Sequence, residues 1–209
     1  MKKAGETKRL SIKELKHHAR RLSIKEGIFA STKVSLGDSY LTPFAIAINA
    51  SNPLVAIVSS FHGLLGSATQ LFSSRLMSKF SRKKIVLFAV FLEILIWIPF
   101  ILIGLFFFKG ILRGFLPVFF FLFYSLYTII ANFITPAWFS WVGDLVDIKY
   151  RGRWFAKRHF IVAFVAGVFA FLAALFLDFL RNQNLLMIGF ITLFFFAGVS
   201  RFFSFPVFK

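Results

Sequence analysis

The sequence predicts an all-α integral membrane protein: six transmembrane helices forming two inverted three-helix repeats, with the N-terminus and C-terminus both cytoplasmic. Three observations carry this prediction: an apolar composition, six runs of spanning length, and basic residues concentrated in alternate connections. Apolar residues make up 58% of the chain and charged residues only 16%, and the mean hydropathy is +0.80. A soluble domain is about 45–50% apolar, with roughly a quarter of its residues charged. The formal charge of +17 raises nucleic acid as a partner, because clustered Lys and Arg release counterions from phosphates. Here the charges lie in short clusters between apolar runs, so the expected partner is a lipid bilayer and not nucleic acid. With no cysteine in the sequence, disulfides, thiolate metal sites and cysteine nucleophiles are excluded. No cofactor and no metal is expected.

Residues 1–26 read as a cytoplasmic basic tail and residues 27–209 as the transmembrane domain. The tail repeats "RLSIKE", and each copy holds a Ser-x-x-Glu capping box, Ser11/Glu14 and Ser23/Glu26. It reads either as a basic helix lying on anionic headgroups or as a solvated topology signal. A membrane-crossing helix needs roughly 20 mostly apolar residues. Six stretches qualify, at about 28–50, 54–77, 84–108, 115–142, 158–180 and 184–207.

The first stretch carries Ser31, Ser35, Asp38, Thr42 and Asn49 at spacings that draw one polar stripe on a 3.6-residue helix. The second carries Ser59, His62, Gly66 and Ser73, with Gln70 close by. The third is Phe, Leu and Ile all round except for Glu93. The fourth repeats the polar stripe with Ser125, Thr128, Asn132 and Thr135, ending near Pro136 and Trp138. The fifth presents Ala166, Ala170 and Ala174 beside Ala163 and Gly167, a surface that allows close backbone approach. The sixth is again greasy, apart from Arg201. Turn residues separate the runs, in "NASNP", "FKGILRGF" and "RNQN".

Lys and Arg set the orientation. The tail and the connections at 75–84 and 149–158 hold nine, five and five of them, while the alternate connections hold none, two and one. The positive-inside rule therefore places both termini and the two basic connections in the cytoplasm.

Read in threes, the order is polar-striped, small-residue, greasy, and then the same again in the opposite sense. That is the hydropathy pattern of an inverted repeat in a secondary transporter. The stripes either line a water-filled path or bind the helices together. In the first reading Ser35, Asp38, Thr42, Asn132 and Thr135 form the path for substrate or ion. Asp38 is then the site of a coupling ion or substrate; otherwise it is a structural acid paired with a base. His62 reads as a proton relay or as a packing residue. Lys33, about 140° round the helix from Asp38, snorkels to the headgroups or takes part in function. Glu93 and Arg201 lie about nine residues from the cytoplasmic ends of their helices and are predicted to pair.

The cytoplasmic connections read "SRLMSKFSRKK" and "GDLVDIKYRGRWFAKRH". In both, basic residues stand where consecutive helices turn round. The chain resembles the N-terminal six-helix half of a major facilitator superfamily transporter. The family's motif between its second and third helices commonly runs Gly-x-x-x-Asp-Arg-x-Gly-Arg-Arg/Lys. Aligned on Arg82 and Lys83, this chain has Ser74, Ser78, Lys79 and Ser81 at the Gly, Asp, Arg and Gly positions. Asp144 followed by "RGR" at 151–153 and "FAKR" at 155–158 is similar to the family's connection between its fourth and fifth helices. The resemblance covers about residues 24–209, as one half of a fold that usually has twelve or more helices.

The resemblance implies alternating-access transport of a small molecule or ion across the cell membrane, with Arg82, Lys83, Asp144, Asp147, Arg151 and Arg153 as gating or loop residues. It also implies a missing C-terminal six-helix half, or a second copy, as partner. A six-helix scaffold or channel subunit is the alternative. An intramembrane enzyme is further off, since no HExxH, no GxSxG and no facing pair of intramembrane aspartates occurs.

Overall fold

The computed structural model describes residues 12–144 and 146–205. Side chains are described from Ala19 onward, except those of Phe61, His62, Gln70, Leu71 and Ser74. The capping box at Ser11/Glu14 and the side chains of His62 and Gln70 thus lie outside the described residues. The described chain is helical throughout: α1 (Ile12–Leu36), a 3₁₀ turn (Asp38–Tyr40), α2 (Leu41–Ala47), α3 (Asn52–Lys79), α4 (Arg82–Phe108), α5 (Leu116–Gly143), α6 (Ile148–Asn182) and α7 (Leu186–Ser204).

Four of these, α4 to α7, are long and apolar enough to cross a membrane, and the chain is a membrane protein on that ground. α1 and α3 match them in length but fall outside that apolar class. Basic tail residues fill the first half of α1, and Ser, Gly and His interrupt α3.

Helix ends follow local chemistry. Ser81 caps α4, its hydroxyl accepting from the Lys84 N–H at 3.4 Å. Pro stands in the first turn of α3 and of α5, where its missing N–H costs nothing. Asn49, Gly110 and Asn184 turn the chain with positive φ, a conformation in which Gly and Asn are enriched. Asn49 therefore belongs to the turn before α3 and not to a helical polar stripe.

The first predicted span is not one helix. α1 runs unbroken across the expected tail boundary at residue 26 and stops at Leu36. Gly37 then leads into the 3₁₀ turn, and α2 carries the chain on. The predicted fifth span begins ten residues earlier than expected, since "IKYRGRWFAK" forms the first turns of α6. No Pro interrupts that stretch, and Asp147 occupies its N-cap position.

α4 packs on α5 and α7, α1 on α6 and α7, and α3 on α5, with lesser contact between α6 and α7. The core has two apolar layers. One is aromatic: Phe44, Trp97, Phe100, Phe120 and Phe194, all at most 1% exposed. The other is built on Val86, Val90, Ala137 and Val142. On α4, Glu93 falls between the two layers. The greasy α4 is the most buried of the four apolar spans and the Ala-rich α6 the least. An all-round apolar helix is thus not the one facing outward here, because lipid tails and a protein core are equally good solvents for Leu and Phe. Part of the small-residue face of α6 does serve close approach. The carbonyls of Ala166 and Ala170 accept from Ser35 Oγ (2.9 Å) and Tyr40 OH (3.0 Å).

Candidate functional site

A buried row of six alternating charges joins five elements. Arg158 on α6 donates from Nη2 to Glu26 Oε2 of α1 at 3.2 Å. Glu26 Oε1 accepts from Arg201 Nη1 of α7 at 3.4 Å. Arg201 Nε donates to Glu93 Oε2 of α4 at 2.6 Å. Glu93 Oε1 accepts from Lys33 Nζ of α1 at 3.3 Å, and Lys33 also donates to Asp38 Oδ2 at 3.0 Å. Every side chain in the row is less than a tenth exposed except Asp38, at 27%.

An isolated charge in such surroundings costs several kcal/mol or more. Three cations and three carboxylates cancel here, and almost every polar atom is used. Lys33 directs its third proton to Tyr127 OH at 2.8 Å and lies 5.2 Å from that ring's centre. Arg158 also donates to the Ser23 carbonyl and stacks 4.2 Å over Trp138 of α5. Arg201 reaches Ser204 Oγ at 3.3 Å. The exception is Asp38 Oδ1, which is buried with no hydrogen-bond partner among the described residues. The row ends on an acceptor with spare capacity.

That end opens into a cavity of about 480 Å³. Besides the charged row, Ser31, Asn132, Thr135 and Trp138 form its walls. Gly37 makes the geometry possible. On a continuous helix, residues five apart lie about 140° round the axis, so Lys33 and Asp38 would diverge. The break after Leu36 turns Asp38 back onto the ammonium.

Of the predicted path residues, Asp38, Asn132 and Thr135 line this cavity. Asn132 donates to the Thr128 carbonyl at 2.8 Å and faces Gly66 of α3. Ser35 instead ties α1 to α6, and Thr42 lies past the break on α2, off the cavity wall. The Glu93–Arg201 pair forms at 2.6 Å.

Four participants join the predicted residues: Glu26, placed in the tail; Lys33, read as snorkelling or as taking part in function; Tyr127; and Arg158, counted as a loop cation. A signal for two of them existed. Glu26 and Lys33 are seven residues apart, two turns of a helix, and share a face.

The predicted loop residues divide. Arg82 Nη1 pairs with Asp144 and donates to the Ser140 carbonyl at 3.2 Å, so Asp144 joins the start of α4 to the end of α5. Among the described residues its ion-pair partner is Arg82 and not a cation of its own connection. Arg153 and Lys83 are exposed, Asp147 is the N-cap residue of α6, and Arg151 packs beside Gly143. The Arg82–Asp144 side chains are 42% and 68% exposed, which limits their worth to about 0.2–1 kcal/mol. Arg82→Ala is accordingly expected to change stability by less than about 1 kcal/mol, as read by thermal unfolding in detergent.

No family model matches the chain, and neither a curated protein nor a solved structure matches it.

Proposed function

We propose that the chain is the N-terminal six-helix unit of a secondary transporter of the major facilitator type, moving a small solute across the cell membrane by alternating access. The observation that carries this is the row of alternating charges ending at Asp38, on a broken helix, beside a cavity. Broken helices that expose backbone and charge to a cavity are how such transporters build a central site. Ionisable groups inside a membrane protein are expensive and mark ion or substrate pathways. In this reading Asp38 is the exchangeable member: it alone is part-exposed and has a free oxygen. Lys33 bridges Asp38 and Glu93, so it keeps a carboxylate partner when a solute engages Asp38. The summed charge of the row is zero, which favours a solute without large net charge.

The helix neighbours support the repeat. Exchanging α1/α2 with α5, α3 with α6, and α4 with α7 turns the α1–α6 contact into α5–α3 and α1–α7 into α5–α4, and leaves α4–α7 unchanged. In this reading α1 with α2 forms the first of six spans, α3 the second, and the basic connections face the cytoplasm. A second six-helix unit, in the same polypeptide or as a second copy, completes the path.

The absence of native cysteine makes a clean test. Single cysteines at Ser81 and Lys149 are expected to react with an impermeant maleimide from the cytoplasmic side, and those at Gly110 and Asn184 from the opposite side. A cysteine at Thr135 is expected to react by way of the cavity. Labelling of all four connections from one side would overturn the six-span reading. Saturable uptake by a demonstrated monomer would overturn the half-transporter reading.

A further inference from the structure

A second cavity, of about 520 Å³, lies on the outside of the bundle between the end of α3, the start of α4 and the middle of α5. Leu76, Phe88, Leu92, Ile129 and Phe133 are among its walls, and among the described residues its one charged lining residue is Lys84. It exists because α3 packs on α5 while barely touching α4, which leaves a furrow over the small, buried Ala89. Among the described lining residues, the side chains offer a polar partner only at the Lys84 end, which favours an apolar occupant over ordered water. At that end Lys84 is exposed and has no ion pair among the described residues. Lys79, also exposed, ends α3 directly before the lining residue Phe80. A long apolar slot with cations at its mouth has the complement of an anionic lipid: hydrocarbon below, phosphate above.

We infer that this furrow is a binding site for one anionic phospholipid, with an acyl chain along the α3–α4–α5 slot and its phosphate on Lys84 and Lys79. The inference needs α4 and α5 to span the bilayer and is independent of transport. Charge selects the lipid class, since a zwitterionic headgroup carries no net charge to bring to two lysines. Basic residues at the headgroup level attract anionic lipid. Apolar fit selects the position, because other exposed lysines, such as Lys157 on α6, do not line a slot of this kind.

The test reconstitutes the full chain in nanodiscs of equimolar phosphatidylcholine and phosphatidylglycerol, then counts co-purifying lipid by native mass spectrometry after detergent extraction. The wild-type chain is expected to retain one phosphatidylglycerol in preference to phosphatidylcholine. Lys84→Glu is expected to lower that retention by about fivefold or more. Ile129→Trp, which narrows the slot from its lipid-exposed wall, is expected to lower it with both lysines intact, while Lys157→Glu leaves it unchanged. Unaltered helicity by circular dichroism separates these losses from misfolding. Equal retention of the two lipids would overturn the site. So would equal losses for Lys84→Glu and Lys157→Glu, undiminished retention by Ile129→Trp, or a protein dimer seated on this face without lipid. Failure of the chain to insert into nanodiscs at all would strike the membrane-spanning reading instead.

Discussion

Glu93→Ala is expected to destabilise the protein by about 3–5 kcal/mol, the cost of breaking a buried pair by removing one partner. Glu93 is 2% exposed and holds two cations, Arg201 and Lys33, one on each oxygen. Deleting it leaves the row with three cations against two carboxylates. The alternation makes a sharper prediction for the double variant. Removing both Glu93 and Arg201 leaves two separate neutral pairs, Arg158–Glu26 and Lys33–Asp38. Replacing a buried pair by apolar side chains of similar volume is often neutral or stabilising. Glu93→Leu with Arg201→Met is therefore expected to recover most of the stability that either single change loses. The coupling between the two should exceed the few tenths of a kcal/mol found for independent sites. Unfolding of the four proteins in detergent, by denaturant or heat, measures it. Additive losses in the double variant would show that the six charges do not act as one row.

The helical elements were legible because their signals are long and redundant. Runs of about twenty apolar residues and the Asn and Gly at the turns each point the same way. Three features escaped for three different reasons. The break at Gly37 is invisible to periodicity, since the residues on both sides keep a helical spacing. The outward direction of α6 escaped because membrane helices lack the polar face that orients a helix in water. The charged row escaped because its members were read by sequence neighbourhood. Arg158 stands among five loop cations and Glu26 among tail residues, yet both are buried. Where helices extend beyond the apolar stretch, as α1 and α6 do, a charge assigned to a connection can be folded into the bundle. The Glu93–Arg201 pair was legible for the opposite reason: two lone charges in otherwise apolar helices, at matching depth, have few other partners to find.

Gly37 is the residue on which the geometry of the site turns, and enlarging it is expected to be costly for a steric reason. Its φ of −112° is open to any residue, so backbone strain is not the issue. A Cβ built there runs into the rim of the Trp97 indole and comes within 2.9 Å of the Ala197 Cβ. Trp97 has nowhere to go. It is 1% exposed and held by Phe100, Tyr127 and Phe194 at ring-centre distances of 5.7, 5.8 and 5.6 Å. Overpacking of this kind costs about 1–3 kcal/mol and occasionally more, so Gly37→Ala is expected within that range and Gly37→Leu above it. Gly167 on α6, where a Cβ meets nothing within 4 Å, is the matched control. There alanine is expected to be neutral or stabilising by up to about 1 kcal/mol, from helix propensity alone. Trp97→Leu is destabilising by itself, because it empties part of the aromatic layer. Combined with Gly37→Leu, it is expected to cost less than the two separate losses together, the smaller ring making room for the new side chain. Thermal unfolding of the four proteins, beside Gly167→Ala, reads this directly. A Gly37→Leu variant as stable as the wild-type chain would mean that α1 can leave Trp97, and with it the position that brings Lys33 onto Asp38.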